Sequence, residues 1–187
     1  MTIKTPFIAT IMLSLTLGLA GCAQMGGGPE DHGQRTYGMQ VEDQGIENRI
    51  KSNLSRQDAR FNDARVNIDS YNGIVLMTGQ VPSEELKEKA QAIASEAQHV
   101  RRVHNELTVA ANIPLAQRTS DTWLATRIRT NLIANENIDA GRIRVVTENA
   151  SVYLMGIVTR AESDQIVSVV SQLGGIQRIV KAFEYLD

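Results

Sequence analysis

The chain has 187 residues with 19 basic and 21 acidic side chains, giving a formal net charge of −2 at pH 7. A chain this close to neutral is not expected to bind nucleic acid, because binding through bulk basicity needs an excess of positive charge. Aromatic residues make up 4% of the sequence, so the core must be built from Val, Ile, Leu and Ala. Cys22 is the only cysteine, which excludes an intramolecular disulfide and a cysteine-based metal cluster.

Residues 1–21 are predicted to be an export signal. Lys4 supplies a short positive region, and residues 7–20 are almost entirely apolar. This apolar stretch is too short for a membrane-spanning helix, which takes roughly 20 residues, but its length suits a signal peptide. An ordinary signal peptide with an incidental cysteine, or an uncleaved anchor, is the alternative.

The end of this segment, Leu19-Ala20-Gly21-Cys22, resembles the bacterial lipobox. The resemblance implies that the Cys22 thiol takes a diacylglyceryl group, that the chain is cleaved before it, and that the new N-terminus is acylated. Ala23 stands where Asp would favour inner-membrane retention, so the resemblance implies an outer-membrane lipoprotein that faces the periplasm. Residues 22–43 are rich in Gly and polar side chains and are predicted to form a flexible tether.

The remaining sequence repeats itself. We predict one domain at residues 44–110, a linker at 111–120 and a second domain at 121–187. Two one-residue gaps are needed to align the copies, which loops tolerate. Residues 46–54 align with 124–132, 75–81 with 152–158, and 100–107 with 176–183.

Each copy predicts the element order helix, strand, strand, helix, strand. In the first copy, apolar residues at 46, 50 and 54 have helical spacing, and Val66 and Ile68 alternate with polar residues as in a strand. Asn72-Gly73 is a strong signal for a tight turn. A second helix opens at Pro82-Ser83 with one apolar stripe, and alternation from Val103 to Val109 predicts the last strand. The fold class is therefore α+β, with a small three-stranded sheet covered on one face by two helices.

This pattern resembles the BON domain (bacterial osmotic-shock and nodulation), and a lipobox followed by two such units resembles the dual BON-domain lipoproteins of the outer membrane. The second copy departs from the pattern at Ala150, which replaces the turn glycine and is strained at positive φ, and at Lys181, which replaces an asparagine. A different turn type in the second copy is therefore open. The pattern is carried by Gly73, Val75, Met77, Gly79, Val81, Val103, Asn105 and Leu107, and by Val152, Leu154, Gly156, Val158, Ile179 and Phe183.

The first helix of the second copy has an outward face that the first copy lacks. Two apolar side chains lie where the first copy has Gly45 and Ser55. With a rotation of 100° per residue around the helix axis, two arginines flank this face. The resemblance implies binding of anionic phospholipid, notably phosphatidylglycerol, through this helix, which suits an indole and cations at headgroup level. Alternatively, the tryptophan packs on the linker or on the first copy. The residues of this predicted site are Trp123, Arg127, Arg129 and Ile133.

The second helix of the second copy has a stripe formed by Ile166, Val169 and Leu173, beside a predicted core stripe that includes Val170. An apolar patch of this size is rarely left in water. We therefore predict an interdomain surface against the first copy, with a second protein as the alternative occupant.

The sequence contains no catalytic constellation, because its three histidines lie apart from the partners that catalysis or metal binding would need. We expect no enzyme activity, no metal site and no cofactor. The favoured function is a membrane-anchored protein that binds anionic phospholipid and supports envelope integrity. The alternative is an adaptor that docks an envelope-assembly or cell-wall protein, and an enzyme would require a pocket with perturbed titratable groups.

Overall fold

A computed structural model describes residues 33–186. The predicted signal peptide, Cys22 and the first part of the predicted tether lie outside the described residues. The first domain comprises α1 (Tyr37–Gln57), β1 (Arg65–Tyr71), β2 (Ile74–Val81), α2 (Glu84–Ser95) and β3 (Arg102–Val109). The second comprises α3 (Leu115–Ile133), β4 (Arg144–Glu148), β5 (Ser151–Val158), α4 (Arg160–Ser171) and β6 (Arg178–Tyr185).

The predicted α-β-β-α-β order is confirmed in both domains. In each sheet the second strand is central, antiparallel to the strand before it and parallel to the strand after the second helix. Both helices cover one face of their sheet, and each domain has its own hydrophobic core beneath them. Within residues 33–186, no helix has the length and apolar character needed to cross a bilayer.

Two predicted boundaries are wrong. Helix α1 begins at Tyr37, so the end of the predicted tether, residues 22–43, is helical. Thr36 Oγ1 caps this helix by accepting from the Met39 amide, and an ion pair of 2.8 Å joins Arg35 to Asp43. These contacts order a segment whose polar composition predicted flexibility. Helix α3 likewise begins at Leu115, inside the predicted linker 111–120.

The predicted interdomain stripe on α4 is also wrong. Ile166 is 2% exposed and belongs to the core of its own domain, and Val169 and Leu173 pack against the same core. The error lies in the alignment of the two copies. The extra residue of the first copy is Pro82, which precedes its second helix, whereas the prediction placed the gap after that helix. With the helix caps Ser83 and Thr159 aligned, the stripe corresponds to core positions of α2. Those positions are Ala90, Ile93 and Ala97.

The two domains instead meet through the sheet faces that the helices leave bare. Every residue of β2 is buried, which a strand with one face in water would not show. Leu76 from the first domain and Tyr153 and Met155 from the second are at most 2% exposed here. We call this group the intersheet cluster, and it consists of Tyr71, Ile74, Leu76, Tyr153, Met155, Ile157 and Ala182.

Polar contacts between the two domains lie around the intersheet cluster. Glu148 from the second domain accepts from Arg65 at 2.8 Å and from Gln80 at 2.7 Å, both in the first domain. Because each pair joins opposite domains, these contacts fix how one sheet lies on the other. Further ion pairs between the domains are Arg144–Asp69, Arg144–Glu47, Arg101–Glu184 and Arg178–Glu106.

Placing a charge in the intersheet cluster is expected to separate the domains. In Leu76→Glu, the carboxylate would be buried without a partner, at a cost of several kcal/mol unless the sheets part. We expect the rotational correlation time from ¹⁵N relaxation to fall toward that of a single domain, while the control Val109→Glu, at a half-exposed strand end, leaves it unchanged. A wild-type correlation time for Leu76→Glu would contradict this account of the interface.

Candidate functional site

Helix α3 presents an exposed apolar face to solvent. Leu124, Ile128 and Leu132 turn into the core of the second domain, whereas Trp123 is 63% exposed and Ile133 is 73% exposed. The alternative that Trp123 packs on the linker or on the first domain is therefore not what the structure contains.

Sequence reasoning missed one member of this face. Leu115 is 75% exposed and lies five helical turns before Ile133, so the two side chains point in the same direction. Its place in the predicted linker concealed it, although the five-turn spacing was a usable signal. Together with Trp123, these residues define the exposed α3 face, which extends about 27 Å along the helix at 1.5 Å per residue.

The two predicted arginines flank the exposed α3 face on opposite sides. The Cζ atom of Arg127 lies 4.9 Å from the centroid of the Trp123 ring, a distance at which a cation and an indole attract each other. Arg129 turns the other way and donates to the Val145 carbonyl at 2.6 Å. The structure thus brings Trp123 and Arg127 into contact and places Arg129 beside the far edge of the face.

Arg127 is held at one end and open at the other. Its Nη2 donates to the carbonyl of Gly174, and its Nε is buried with no hydrogen-bond partner. No carboxylate among residues 33–186 forms an ion pair with it. A guanidinium has five N–H donors in a planar fork, so Arg127 retains donors for an anionic ligand.

A groove lies between α3 and the loop after α4. Its volume is about 450 Å³, and its walls include Ser120, Asp121, Trp123, Arg127 and Gly174. This volume falls in the range of small-molecule sites. We call it the Arg127 groove, and it places the indole at the edge of a cavity that also contains the guanidinium.

A buried aspartate holds the turn beside the groove. The Asp121 carboxylate accepts from the amides of Asn149 and Ala150 at 2.8 and 2.9 Å. Both of these turn residues have positive φ, 48° and 58°. The first domain contains the same turn at Asn72 and Gly73, which also have positive φ.

The alternative that the second copy has a different turn type is therefore wrong. In the first domain Asp43 accepts from the amides of Asn72 and Gly73 at 2.8 and 3.0 Å, as Asp121 does in the second. Sequence reasoning missed both aspartates. The signal that would have found them is an acidic residue at the same place, three residues before the first core position, in both first helices.

The charge on Asp43 is favoured by its hydrogen bonds. Burial raises the pKa of this carboxyl, but hydrogen bonds from Gly73, Ser70, Asn72 and Arg35 outweigh burial and bring the pKa below its usual value. The ionised form is thus the one that stabilises the turn.

Among residues 33–186, no group of three or more His, Cys, Asp or Glu side chains is arranged to hold a metal ion. His99 pairs with Glu42 at the surface, while His104 lies on β3 with its Nε2 buried. What α3 offers a ligand is an exposed indole, a guanidinium and a cavity.

Replacing Ala150 with glycine is expected to stabilise the protein. An L-residue at positive φ costs about 1–2 kcal/mol, which exceeds the roughly 0.5–1 kcal/mol that glycine loses through backbone entropy. Thermal unfolding of Ala150→Gly should show a midpoint higher by about 2 °C. The reverse control, Gly73→Ala, should lower the midpoint, because the added Cβ would lie 2.7 Å from the His99 carbonyl oxygen. A lower midpoint for Ala150→Gly would contradict the strain.

The Asp43→Asn variant tests the charge on the turn aspartate. Removing a hydrogen bond to a charged group should cost about 1.5–3 kcal/mol at neutral pH. Because the pKa of Asp43 is lower in the folded state than the unfolded value of 3.8, its contribution is complete above pH 3.8 and is lost as the pH falls below it. Urea unfolding should therefore show a large difference between wild type and variant at about pH 6 and a smaller one at about pH 3. A difference that stays constant over this range would contradict the assignment.

Comparison with known proteins gives a family and several relatives. The BON domain family matches residues 42–111 and 120–187. The outer membrane lipoprotein DolP of Haemophilus influenzae is 36% identical over 184 residues, which cover 95% of each chain. The 21 kDa hemolysin of Actinobacillus pleuropneumoniae is 33% identical over 164 residues, which cover 84% of each chain.

Proposed function

The chain belongs to the BON domain family and is a lipoprotein of the outer membrane, and on this premise we propose that its second domain binds anionic phospholipid at the periplasmic face and so supports envelope integrity. The observation that carries the proposal is Trp123, which is 63% exposed and in contact with the Arg127 guanidinium. Tryptophan is usually largely buried, and an exposed indole beside a cation suits the interface between lipid headgroups and acyl chains.

The shape of the exposed α3 face supports the same conclusion. Leu115, Trp123 and Ile133 lie along one side of a single helix, so the helix axis can lie parallel to a bilayer while these side chains enter it. Arg127 and Arg129 are then at the level of the headgroups, where anionic lipids attract cations by about 1 kcal/mol each.

The predicted lipid anchor at Cys22 would strengthen a weak contact. With the chain tethered to the membrane, binding of the α3 face becomes an intramolecular event at a high effective concentration. A modest affinity for headgroups is then sufficient for stable contact, and it leaves the domain able to detach and report on local lipid composition.

The adaptor alternative has lost its proposed surface. Docking of an envelope-assembly or cell-wall protein was expected at Ile166, Val169 and Leu173. Ile166 is buried in the core of the second domain, and Val169 and Leu173 pack against that core. No specific observation among the described residues now favours this alternative over lipid binding.

Vesicle flotation tests the proposal. Residues 32–187 form one compact unit, so a fragment of residues 23–187 keeps every described contact without the acyl chains. We expect this fragment to float with phosphatidylglycerol-containing vesicles, and Trp123→Ala to weaken binding about tenfold or more, since burying a large apolar side chain contributes about 1.5–3 kcal/mol. The control Tyr37→Ala removes an exposed aromatic ring from the first domain and should leave binding unchanged.

Salt and lipid charge provide the second part of this test. Binding through arginines should weaken as salt is raised and disappear on vesicles of neutral phosphatidylcholine. Wild-type binding by Trp123→Ala, or equal binding to neutral and anionic vesicles, would contradict the proposal.

A further inference from the structure

We propose that the Arg127 groove is a site for the phosphate group of a membrane phospholipid, and that Glu42 fills the equivalent site of the first domain with a carboxylate of the chain itself. The inference rests on lipid binding by the second domain and deepens it, because it names the chemical group recognised. It also predicts that the second domain binds this group and that the first does not.

The two domains each have a groove at the equivalent place in the fold. In the first domain, Arg49 Nη2 donates to the carbonyl of Gln98, in the loop after α2, at 3.3 Å. In the second, Arg127 Nη2 donates to the carbonyl of Gly174, in the loop after α4. Equivalent positions that line both cavities include Glu42 and Ser120, Asp43 and Asp121, and His99 and Gly175. Arg127 lines its cavity directly, whereas the equivalent Arg49 is bonded to Glu42.

The groove of the first domain already holds an anion. Glu42 Oε1 accepts from Arg49 Nη2 at 2.7 Å and lies 2.6 Å from His99 Nδ1. Hydrogen bonds from Arg49 and then His99 lower the pKa of Glu42 below its usual value, so the carboxylate is charged at neutral pH. The remaining cavity is about 180 Å³.

The groove of the second domain has the cation without the anion. Ser120 and Gly175 replace Glu42 and His99, and no carboxylate in the described part of the chain pairs with Arg127. The cavity is correspondingly larger, about 450 Å³. The Nε atoms of Arg49 and Arg127 are both buried without a partner, so the carboxylate and the cavity volume are what distinguish the two grooves. The first domain thus contains an internal copy of the complex that the second domain is built to make with an external ligand.

Two features of the first domain show that such a complex is sterically and electrostatically feasible. Arg49 donates to Glu42 and to the Gln98 carbonyl at once, so the bond from Arg127 to Gly174 does not prevent anion binding. Asp43 lies next to Glu42 in the sequence and is itself buried, so Asp121 at the same place does not exclude an anion either. The oxygens of Asp121 are engaged by the Asn149 and Ala150 amides.

The surroundings of Arg127 indicate a lipid as the source of the phosphate. A guanidinium fork matches phosphate oxygens in charge and geometry. Trp123 lines the same groove and is exposed, so an indole inserted among headgroups brings Arg127 to the depth of their phosphates. In phosphatidylglycerol the phosphate is the only charged group, whereas zwitterionic headgroups carry their own neutralising cation.

A charge exchange at one position tests the inference with fragment 23–187. Ser120 is exposed, so Ser120→Glu should fold and place a carboxylate on Arg127 as Glu42 does on Arg49. We expect its binding to phosphatidylglycerol vesicles to fall about tenfold, while the isosteric control Ser120→Gln keeps binding within about twofold of wild type. Equal binding by wild type and Ser120→Glu would overturn the inference but leave the lipid function standing. A wild-type fragment that binds no anionic vesicles would defeat the lipid function itself.

The reciprocal variant tests the role of Glu42. Glu42→Ser should open the first groove, so titration with dihexanoyl phosphatidylglycerol should shift the Nε–H resonance of Arg49 as well as that of Arg127. In wild type only the Arg127 resonance should shift, and in Ser120→Glu neither should. Inorganic phosphate is the second probe. A shift at Arg127 as large as that with the lipid at the same concentration would mean a free-phosphate site and would overturn the lipid assignment.

Discussion

In each domain the helices cover one face of the three-stranded sheet and leave the other face bare. The contact between these two bare faces is the interaction on which the rest of the structure depends. Each sheet alone would expose a set of apolar side chains to water. Packed together, Leu76, Tyr153 and Met155 are almost fully buried, and Glu148 is bonded across the domain boundary. The intersheet cluster thus joins the two domains in one compact unit. Because the sheets face inward, all four helices are left on the outside.

This arrangement lets the helices diverge without loss of the fold. Positions that face the core remain apolar in both copies, whereas side chains at the outward positions of α1 and α3 do not pack against the core. Gly45 and Trp123 occupy the same outward place, and so do Glu42 and Ser120. The buried aspartates, by contrast, are shared, because each holds a turn that both domains require.

The parts of the fold that depend on local patterns could be predicted from the sequence. Turn signals, alternation and helical spacing gave the element order, and helical geometry put Trp123 and Ile133 on the outer face of α3, where the structure has them. What failed depended on long-range contacts. The helical structure of α1 before residue 44 is stabilised by hydrogen bonds of Arg35 and Asp43 to each other and to the turn. In the alignment of the two copies, the position of one gap at Pro82 decided whether Ile166 was assigned to the core or to the surface. The unbroken apolar run at the start of β2 was the available sign that both faces of that strand are covered. The groove beside Arg127 could not be predicted, because it depends on where a loop carbonyl meets a helix.

The complementarity of the two sheet faces also bears on how these molecules behave as a population. Only a short linker separates Val109 at the end of β3 from Leu115 at the start of α3, and the surfaces it joins fit each other whichever polypeptide supplies them. If one molecule opens, its halves can be satisfied by the halves of an opened neighbour, which is the route to a domain-swapped dimer. Confinement to a membrane plane raises the rate of such encounters. The ion pairs between the two domains must break before a molecule opens, so they slow the exchange but do not favour either form, because a swapped dimer restores them.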